Sequence, residues 1–94
     1  MPWTDYPQAA VDNAKRALNL REEEGTDCGT VVGWNTARIL ANREVVSHDR
    51  LPRIYSFLSR AKVYDSGSFK DEEGKQVCGS IMYAAWGGDE MLNW

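Results

Sequence analysis

The sequence predicts a compact all-α domain of four or five short helices. Apolar residues recur at spacings of three and four along several segments, which is the period of a helix that buries one face. The stretches between those segments are rich in Gly, Asn and Ser, as expected for connecting turns. With 94 residues, 43% of them hydrophobic and 27% charged, the chain has the size and composition of a single soluble domain, residues 1–94.

The first helix is predicted to begin around Pro7, because proline suits the first turn of a helix, with Asp5 as a candidate cap. Its buried stripe is narrow and rich in alanine, which implies that another helix packs closely against it. The stripe consists of Ala10, Val11, Ala14, Ala17 and Leu18. Gly25 is the expected stop, because glycine adopts the left-handed conformation that often ends a helix.

The second helix is predicted to run from about Trp34 to Asn42, after a loop over residues 25–33. Its buried residues are expected to be Trp34, Ala37, Leu40 and Ala41. A short turn follows, in which we expect Asn42 to take the left-handed conformation that asparagine tolerates.

The third helix has the clearest pattern. Its apolar face is formed by Leu51, Ile54, Tyr55, Leu58 and Ala61. Ser47 and Asp49 are both suitable helix caps. We favour Asp49, since that choice places Pro52 in the first turn, where no backbone hydrogen bond is lost.

A polar stretch over residues 63–75 predicts a surface loop, and a fourth helix is expected from about Gln76 to Trp86. Gly79 lies inside that helix and costs about 1 kcal/mol relative to alanine, so a short strand over residues 76–83 is the alternative. The inward-facing residues of the helix are expected to be Val77, Ile81, Ala84 and Ala85.

The end of the chain carries the most distinctive motif, formed by Trp86, Gly87, Gly88, Asp89 and Trp94. We interpret it as a tight corner between two short helices, with Asp89 capping the second. Trp86 is predicted to be buried against the first and third helices, because the alanine-rich stripe leaves room for a bulky side chain. The expected contacts are Ala14, Leu18 and Leu58. The alternative is that the tryptophans are exposed anchors for a partner.

Charge is distributed unevenly along the chain, whose net charge is −3. Residues 36–62 carry a net charge of +4, whereas residues 22–24 and 71–73 are runs of acids. Such segregation indicates a surface for a partner. Most of the candidate binding residues form a row at helical spacing on the third helix, and one lies on the second helix: Arg38, Arg50, Arg53, Phe57 and Arg60.

These candidate residues have three interpretations. They form a solvated face with local ion pairs, or they anchor another protein, since arginine and aromatic side chains are favoured at interfaces. The third interpretation is a nucleic-acid interface in which the second and third helices act as a helix-turn-helix pair. The turn between these helices is long for that motif, and the acidic net charge argues against free-standing DNA binding.

The sequence lacks the residue combinations of an enzyme, so we predict a non-enzymatic protein with no metal and no cofactor. His48 is the only histidine and adjoins a candidate helix cap. Cys28 has no basic neighbour that would activate its thiol. The glycines of the first loop lack the Lys-Ser/Thr that a phosphate-binding loop requires.

The N-terminus shows no basic region followed by an apolar stretch, and no apolar run is long enough to span a bilayer. We therefore predict an intracellular protein without a membrane partner. In that setting Cys28 and Cys78 are expected to be free thiols.

Three segments together resemble a small helical domain that recurs in bacteriophage and prophage proteins. They are residues 17–21 with the glutamates that follow, Gly33-Trp34 with Ala37 and residues 40–42, and residues 85–94. The similarity covers nearly the whole chain, and the Trp-Gly-Gly-Asp ending is its most specific part. In that family the domain often accompanies head-maturation or other virion-associated segments, and it has no assigned catalytic residue.

This resemblance implies a bacteriophage protein, located in the host cytoplasm or the virion, that acts as a protein-interaction module. Its partner would be a phage or a host protein. One position departs from the family's pattern, since Arg43 stands where the turn after the second helix usually has glycine.

Overall fold

Five helices and a short 3-10 turn make up a computed structural model that describes residues 4–65 and 68–93. The helices are α1 (Gln8–Glu24), α2 (Val31–Ala41), α3 (Arg50–Ala61), α4 (Cys78–Ala85) and α5 (Gly88–Asn93), and the 3-10 turn is Lys62–Tyr64. The predicted all-α fold is confirmed. None of the helices in the described ranges combines the length and apolar character needed to cross a membrane.

α1 lies at the centre of the fold and packs against α2, α4 and α5. Its alanine stripe is confirmed, since Ala10, Ala14 and Ala17 are fully buried. Small side chains on this face allow neighbouring helix axes to approach closely. Leu20 is buried where we expected Leu18, which is only half-buried.

The two ends of α1 differ in how well they were predicted. The helix begins at Gln8 with Pro7 in the cap position and no side-chain cap, so Asp5 does not cap it. At the other end Gly25 stops the helix as expected, and its N–H donates to the Arg21 carbonyl oxygen.

α2 begins three residues earlier than predicted, because Thr30 caps it. The Thr30 hydroxyl accepts a hydrogen bond from the Gly33 N–H at 3.1 Å, which satisfies an amide of the first turn. The expected core positions Trp34, Ala37 and Leu40 are buried, and Ala41, at the end of the helix, is half-buried.

The turn after α2 corrects the prediction for Asn42. Asn42 has a φ of −90°, and Arg43 takes the left-handed conformation instead, with a φ of 50°. That conformation costs about 1–2 kcal/mol for a residue with a side chain. The Arg43 guanidinium offsets the cost, because it donates to the Thr4 and Tyr6 carbonyl oxygens at 2.9 and 2.6 Å and lies over the Tyr6 ring.

Two further hydrogen bonds complete this junction, which we call the Arg43 clasp. Arg43 donates to Gln8 Oε1 at 2.9 Å, and the hydroxyl of the buried Tyr6 donates to the Glu44 carbonyl oxygen at 2.8 Å. The clasp fastens the segment before α1 to the turn that follows α2. A non-glycine residue is therefore accommodated at this position by the contacts that its side chain makes.

α3 buries a narrower face than predicted. Ile54 and Leu58 are buried, Leu51 and Ala61 are half-buried, and Tyr55 is exposed, contrary to expectation. Tyr55 and Phe57 lie about 80° to either side of the centre of this face. A neighbouring tryptophan covers the Phe57 side, which leaves Tyr55 in solvent.

The start of α3 corrects our choice of cap. The Arg50 N–H donates to the Ser47 hydroxyl at 3.1 Å. The Asp49 side chain makes no cap hydrogen bond, and its backbone is already helical. Ser47 therefore supplies the side-chain cap, and Pro52 still lies in the first turn, as predicted.

α4 begins two residues later than predicted, because the residues before it are held in an extended conformation. Lys70 and Gln76 form an isolated antiparallel bridge, and the Val77 N–H donates to the Phe69 carbonyl oxygen at 2.7 Å. The helix that follows is buried on every side from Ser80 to Ala85. This burial explains its mostly uncharged sequence, and it excludes the strand considered for residues 76–83.

Candidate functional site

The structure divides the predicted arginine row. The Arg50 guanidinium donates to the hydroxyl of Thr36 on α2 at 2.8 Å, and Thr36 is completely buried. That hydroxyl in turn donates to the Val32 carbonyl oxygen at 2.9 Å. Arg50 is half-buried and ties α3 to α2, so its guanidinium has a structural role.

Arg53 and Arg60 remain on the outer face of α3 and are exposed. In the part of the chain that the structure describes, no acidic side chain pairs with either of them. The Arg60 Nε donates to the Ser56 carbonyl oxygen one turn earlier at 3.1 Å, which orients its guanidinium along the helix. The two arginines are seven residues apart, which is about 10 Å along the axis.

Phe57 lies between these arginines in sequence, and its ring stacks on Trp86. The ring centroids are 4.4 Å apart, and the ring planes differ by 18°. Stacked pairs of this kind add about 0.5–1.5 kcal/mol beyond the burial of their surface. The arginine row and the C-terminal motif, which we identified separately in the sequence, thus meet at one place.

The residues around this stacked pair enclose an open hollow of about 350 Å³, which we call the α3 groove. Its walls are Pro52, Arg53, Ser56, Phe57, Arg60 and Trp86. The floor is aromatic, the rim carries Arg53 and Arg60, and no acidic side chain of the described residues lines it. The groove can hold an apolar side chain while its rim attracts negative charge.

Arg38 is not part of this arrangement. It is exposed on α2, and it does not line the α3 groove. The eight residues between Ala41 and Arg50 exceed the three or four that join the helices of a helix-turn-helix pair. The structure therefore does not bring the five predicted binding residues onto one surface.

The C-terminal motif forms a corner, as predicted. Trp86 is 7% exposed, its ring stacks on Phe57 of α3, and its Nε1 would lie 3.0 Å from a Cβ placed on Gly33 of α2. Burial against the third helix is therefore confirmed, with Phe57 as the stacking partner. Contacts with Ala14, Leu18 and Leu58 stay a prediction, and Trp94 lies outside the described residues.

Gly87 and Gly88 make the turn of this corner with φ values of 110° and 71°, which only glycine adopts readily. A Cβ on Gly87 would lie 2.5 Å from the Met91 Cβ, so a side chain has no room there. The Asn13 side chain fastens the corner to α1, because its amide donates to the Gly87 carbonyl oxygen at 3.0 Å and to Glu90 at 2.9 Å.

Asp89 does not cap α5 but is its second residue. Its carboxylate accepts a hydrogen bond from the Tyr83 hydroxyl and forms an exposed ion pair with Lys62 at 3.7 Å. Burial raises the pKa of Tyr83 above its ordinary value of 10.0, and the hydrogen bond to Asp89 raises it further. Tyr83 is thus a neutral donor at physiological pH, which suits a structural role.

A polar cleft of about 350 Å³ lies beside this corner and is lined by residues of α1, α4 and α5. Several of the polar side chains that line it are hydrogen-bonded to one another. Tyr83 donates to Asp89, and Arg16 donates to Asn13, which holds Glu90. Within residues 4–65 and 68–93, no group of three or more His, Cys, Asp or Glu side chains is placed to hold a metal ion.

The prediction of free thiols is wrong, because Cys28 and Cys78 form a disulfide. It joins the loop between α1 and α2 to the first residue of α4. Cys28 is buried, and Cys78 is exposed. The sequence offered no local signal for this pairing, since the cysteines are 50 residues apart and the fold alone brings them together.

The chain was compared with protein-family models, with curated proteins and with solved structures, and none of them matches it.

Proposed function

We propose that the chain is a non-catalytic module that binds another protein through the α3 groove. The observation that supports this best is the pair of unpaired arginines, Arg53 and Arg60, on the rim of an aromatic floor. Interface cores favour aromatic residues and arginine, and the strongest contacts cluster around such anchors. The groove offers both in one place.

Nucleic-acid binding has less support. The contact with Thr36 holds the Arg50 guanidinium half-buried against α2 and leaves two exposed arginines on α3. Affinity for DNA grows with the number of phosphates that a protein neutralises. Two exposed arginines on a chain of net charge −3 give a small electrostatic attraction to a duplex.

The setting that we propose is a bacteriophage, with the chain in the virion or the host cytoplasm and a phage or host protein as its partner. The family resemblance supports the phage setting. The disulfide supports the virion, because such bonds persist outside reducing compartments.

The test is affinity purification of the tagged chain from infected host cells. The parent is compared with Arg53→Glu/Arg60→Glu, which reverses the rim, and with Lys15→Glu/Lys75→Glu, which makes the same change in net charge at exposed positions outside the groove. We expect the parent and the control to retain a protein that the rim variant loses. Retention of the same proteins by all three would contradict the proposal.

Titration against duplex and single-stranded DNA at low salt distinguishes protein binding from the alternative, nucleic-acid binding. Binding that weakens steeply with salt, and that the rim variant loses, would favour nucleic acid over protein. We expect the parent and the rim variant to behave alike in this assay.

A further inference from the structure

We infer that the partner contributes an acidic segment that carries two large apolar side chains, one for each of two adjoining hollows along α3. This inference rests on the proposed function and specifies the partner of the same groove. It follows from the shape, the lining and the charge of the surface beyond Phe57.

A second hollow of about 370 Å³ continues the α3 groove toward the end of the helix. Its walls are Phe57, Arg60, Ala61, Tyr64, Cys78, Gly79 and Met82. Phe57 and Arg60 line both hollows, so the two adjoin at these residues, and we call the pair of hollows the channel. A ligand long enough to extend past Phe57 and Arg60 can contact both hollows.

Close packing of two segments holds the far wall of this channel. A Cβ on Gly79 would lie 2.7 Å from both the Cβ and the carbonyl oxygen of Tyr64, so glycine lets the 3-10 turn approach α4. Tyr64 is nevertheless 70% exposed, and the neighbouring Val63 is 80% exposed. Tyr64, which lines the channel, thus presents exposed aromatic surface that a longer ligand would cover, and Val63 adjoins it in sequence.

The charge of the channel specifies the ligand further. Neither hollow is lined by an acidic residue, and Arg53 and Arg60 have no acidic partner among the described residues. Their separation of about 10 Å matches two acids placed two turns apart on a helical ligand. A phosphate is better held by donors that converge on it, and it gains nothing from the apolar walls.

The probe for this inference is a displayed library of random peptides about 16 residues long, enough for a helix of roughly 24 Å. Peptides are selected on the disulfide-bonded chain and then depleted on Arg53→Glu/Arg60→Glu. We expect the survivors to be rich in Asp and Glu and to carry two large apolar residues. A synthetic survivor should lose at least about tenfold in affinity on either single Arg→Glu change, as for an interface anchor.

The second hollow is tested with Tyr64→Ala, which removes its exposed end wall. The synthetic peptide should bind this variant at least about threefold more weakly, and Lys15→Glu/Lys75→Glu should bind as the parent does. Thermal melts establish that each variant is folded before its affinity is compared.

Other results of the peptide selection would contradict either the inferred partner or the proposed function. Survivors that are neutral or basic, or that ignore Tyr64→Ala, would overturn the inferred partner chemistry and leave the α3 groove as the docking site. If the selection yields no peptide whose binding depends on the two arginines, the proposed function itself is overturned. Self-association of the parent that Arg53→Glu/Arg60→Glu abolishes would make a second copy of the chain the occupant and would also overturn the inference.

Discussion

The C-terminal corner and the outer face of α3 meet at Trp86. They differ in whether their polar and aromatic side chains find partners within the chain. In the corner the partners are internal: Phe57 stacks on Trp86, Asn13 bonds Gly87, and Tyr83 bonds Asp89. On the outer face, Arg53 and Arg60 have no acidic partner among the residues described. The groups of the corner are therefore expected to contribute to stability, and the outer face to leave its arginines available for binding.

The arginines of residues 36–62 show the same difference among side chains of one type. Arg43 donates hydrogen bonds to the segment before α1 and to Gln8, and Arg50 donates one to the buried Thr36. Arg53 and Arg60 lie a few residues further along and face solvent. Two of the arginines behind the net charge of +4 in this segment are thus engaged within the fold, which leaves fewer guanidinium groups for direct contact with a partner.

The largest effect should come from the corner. Trp86→Ala removes the ring that lies between α3 and α2, and we expect it to lower the free energy of unfolding by about 3–5 kcal/mol. For a domain of this size that is a large share of the total. Denaturant melts measure it.

Trp86→Phe is the matched control. The buried indole N–H has no hydrogen-bond partner in the described structure, so phenylalanine loses ring area but no hydrogen bond. It should cost clearly less than alanine. If Trp86→Ala melts like the parent yet loses the partner, Trp86 is an interface anchor and not a stabilising core residue.

The disulfide is expected to have the next largest effect. It closes a loop of 50 residues, and its removal in Cys28→Ser/Cys78→Ser should cost about 2–4 kcal/mol, because the unfolded chain gains entropy. Thiol counting under denaturing, non-reducing conditions should find no free thiol in the parent. Finding two would show that the bond does not form and would restore the predicted free thiols.

Arg43 should behave as part of the interior although it is an arginine. Arg43→Ala loses three side-chain hydrogen bonds and keeps the left-handed backbone, so we expect a cost of about 2 kcal/mol. Arg43→Gly loses the same bonds but relieves the backbone, and it should be the more stable of the two by about 1 kcal/mol. The opposite order would mean that the φ of 50° imposes no cost.

The sequence was sufficient for features that depend on neighbours within one helix. The alanine stripe of α1, the stop at Gly25 and the Gly-Gly turn all follow from local rules of spacing and backbone conformation. Trp86 was correctly predicted to be buried because the sequence offered space for it, although its partners were only partly identified.

Helix caps were mispredicted within single turns, as at Ser47 and Thr30, whereas three larger errors depend on contacts between distant segments. Nothing near Arg43 in sequence reveals that Tyr6 lies beneath its guanidinium, and nothing near Cys28 reveals Cys78. The prediction of one arginine surface was wrong for the same reason. Helical spacing places Arg50 and Arg53 near one another, but it does not show that Arg50 bonds Thr36 on another helix. Local pattern fixes which face a residue occupies, and tertiary structure decides whether that face is covered.

The smallest effect on stability should come from the outer face, and it tests the comparison within a single helix. Arg53→Glu/Arg60→Glu should change the free energy of unfolding by no more than about 0.5 kcal/mol, since neither side chain has an acidic partner in the described structure. Arg50→Ala, from the same row, should cost about 1–2 kcal/mol, because it leaves the buried Thr36 hydroxyl with one partner fewer. Denaturant melts of both variants measure the difference. Equal costs would mean that Arg53 and Arg60 are held by the fold as Arg50 is, and the α3 groove would then lose the unpaired charge on which its proposed function depends.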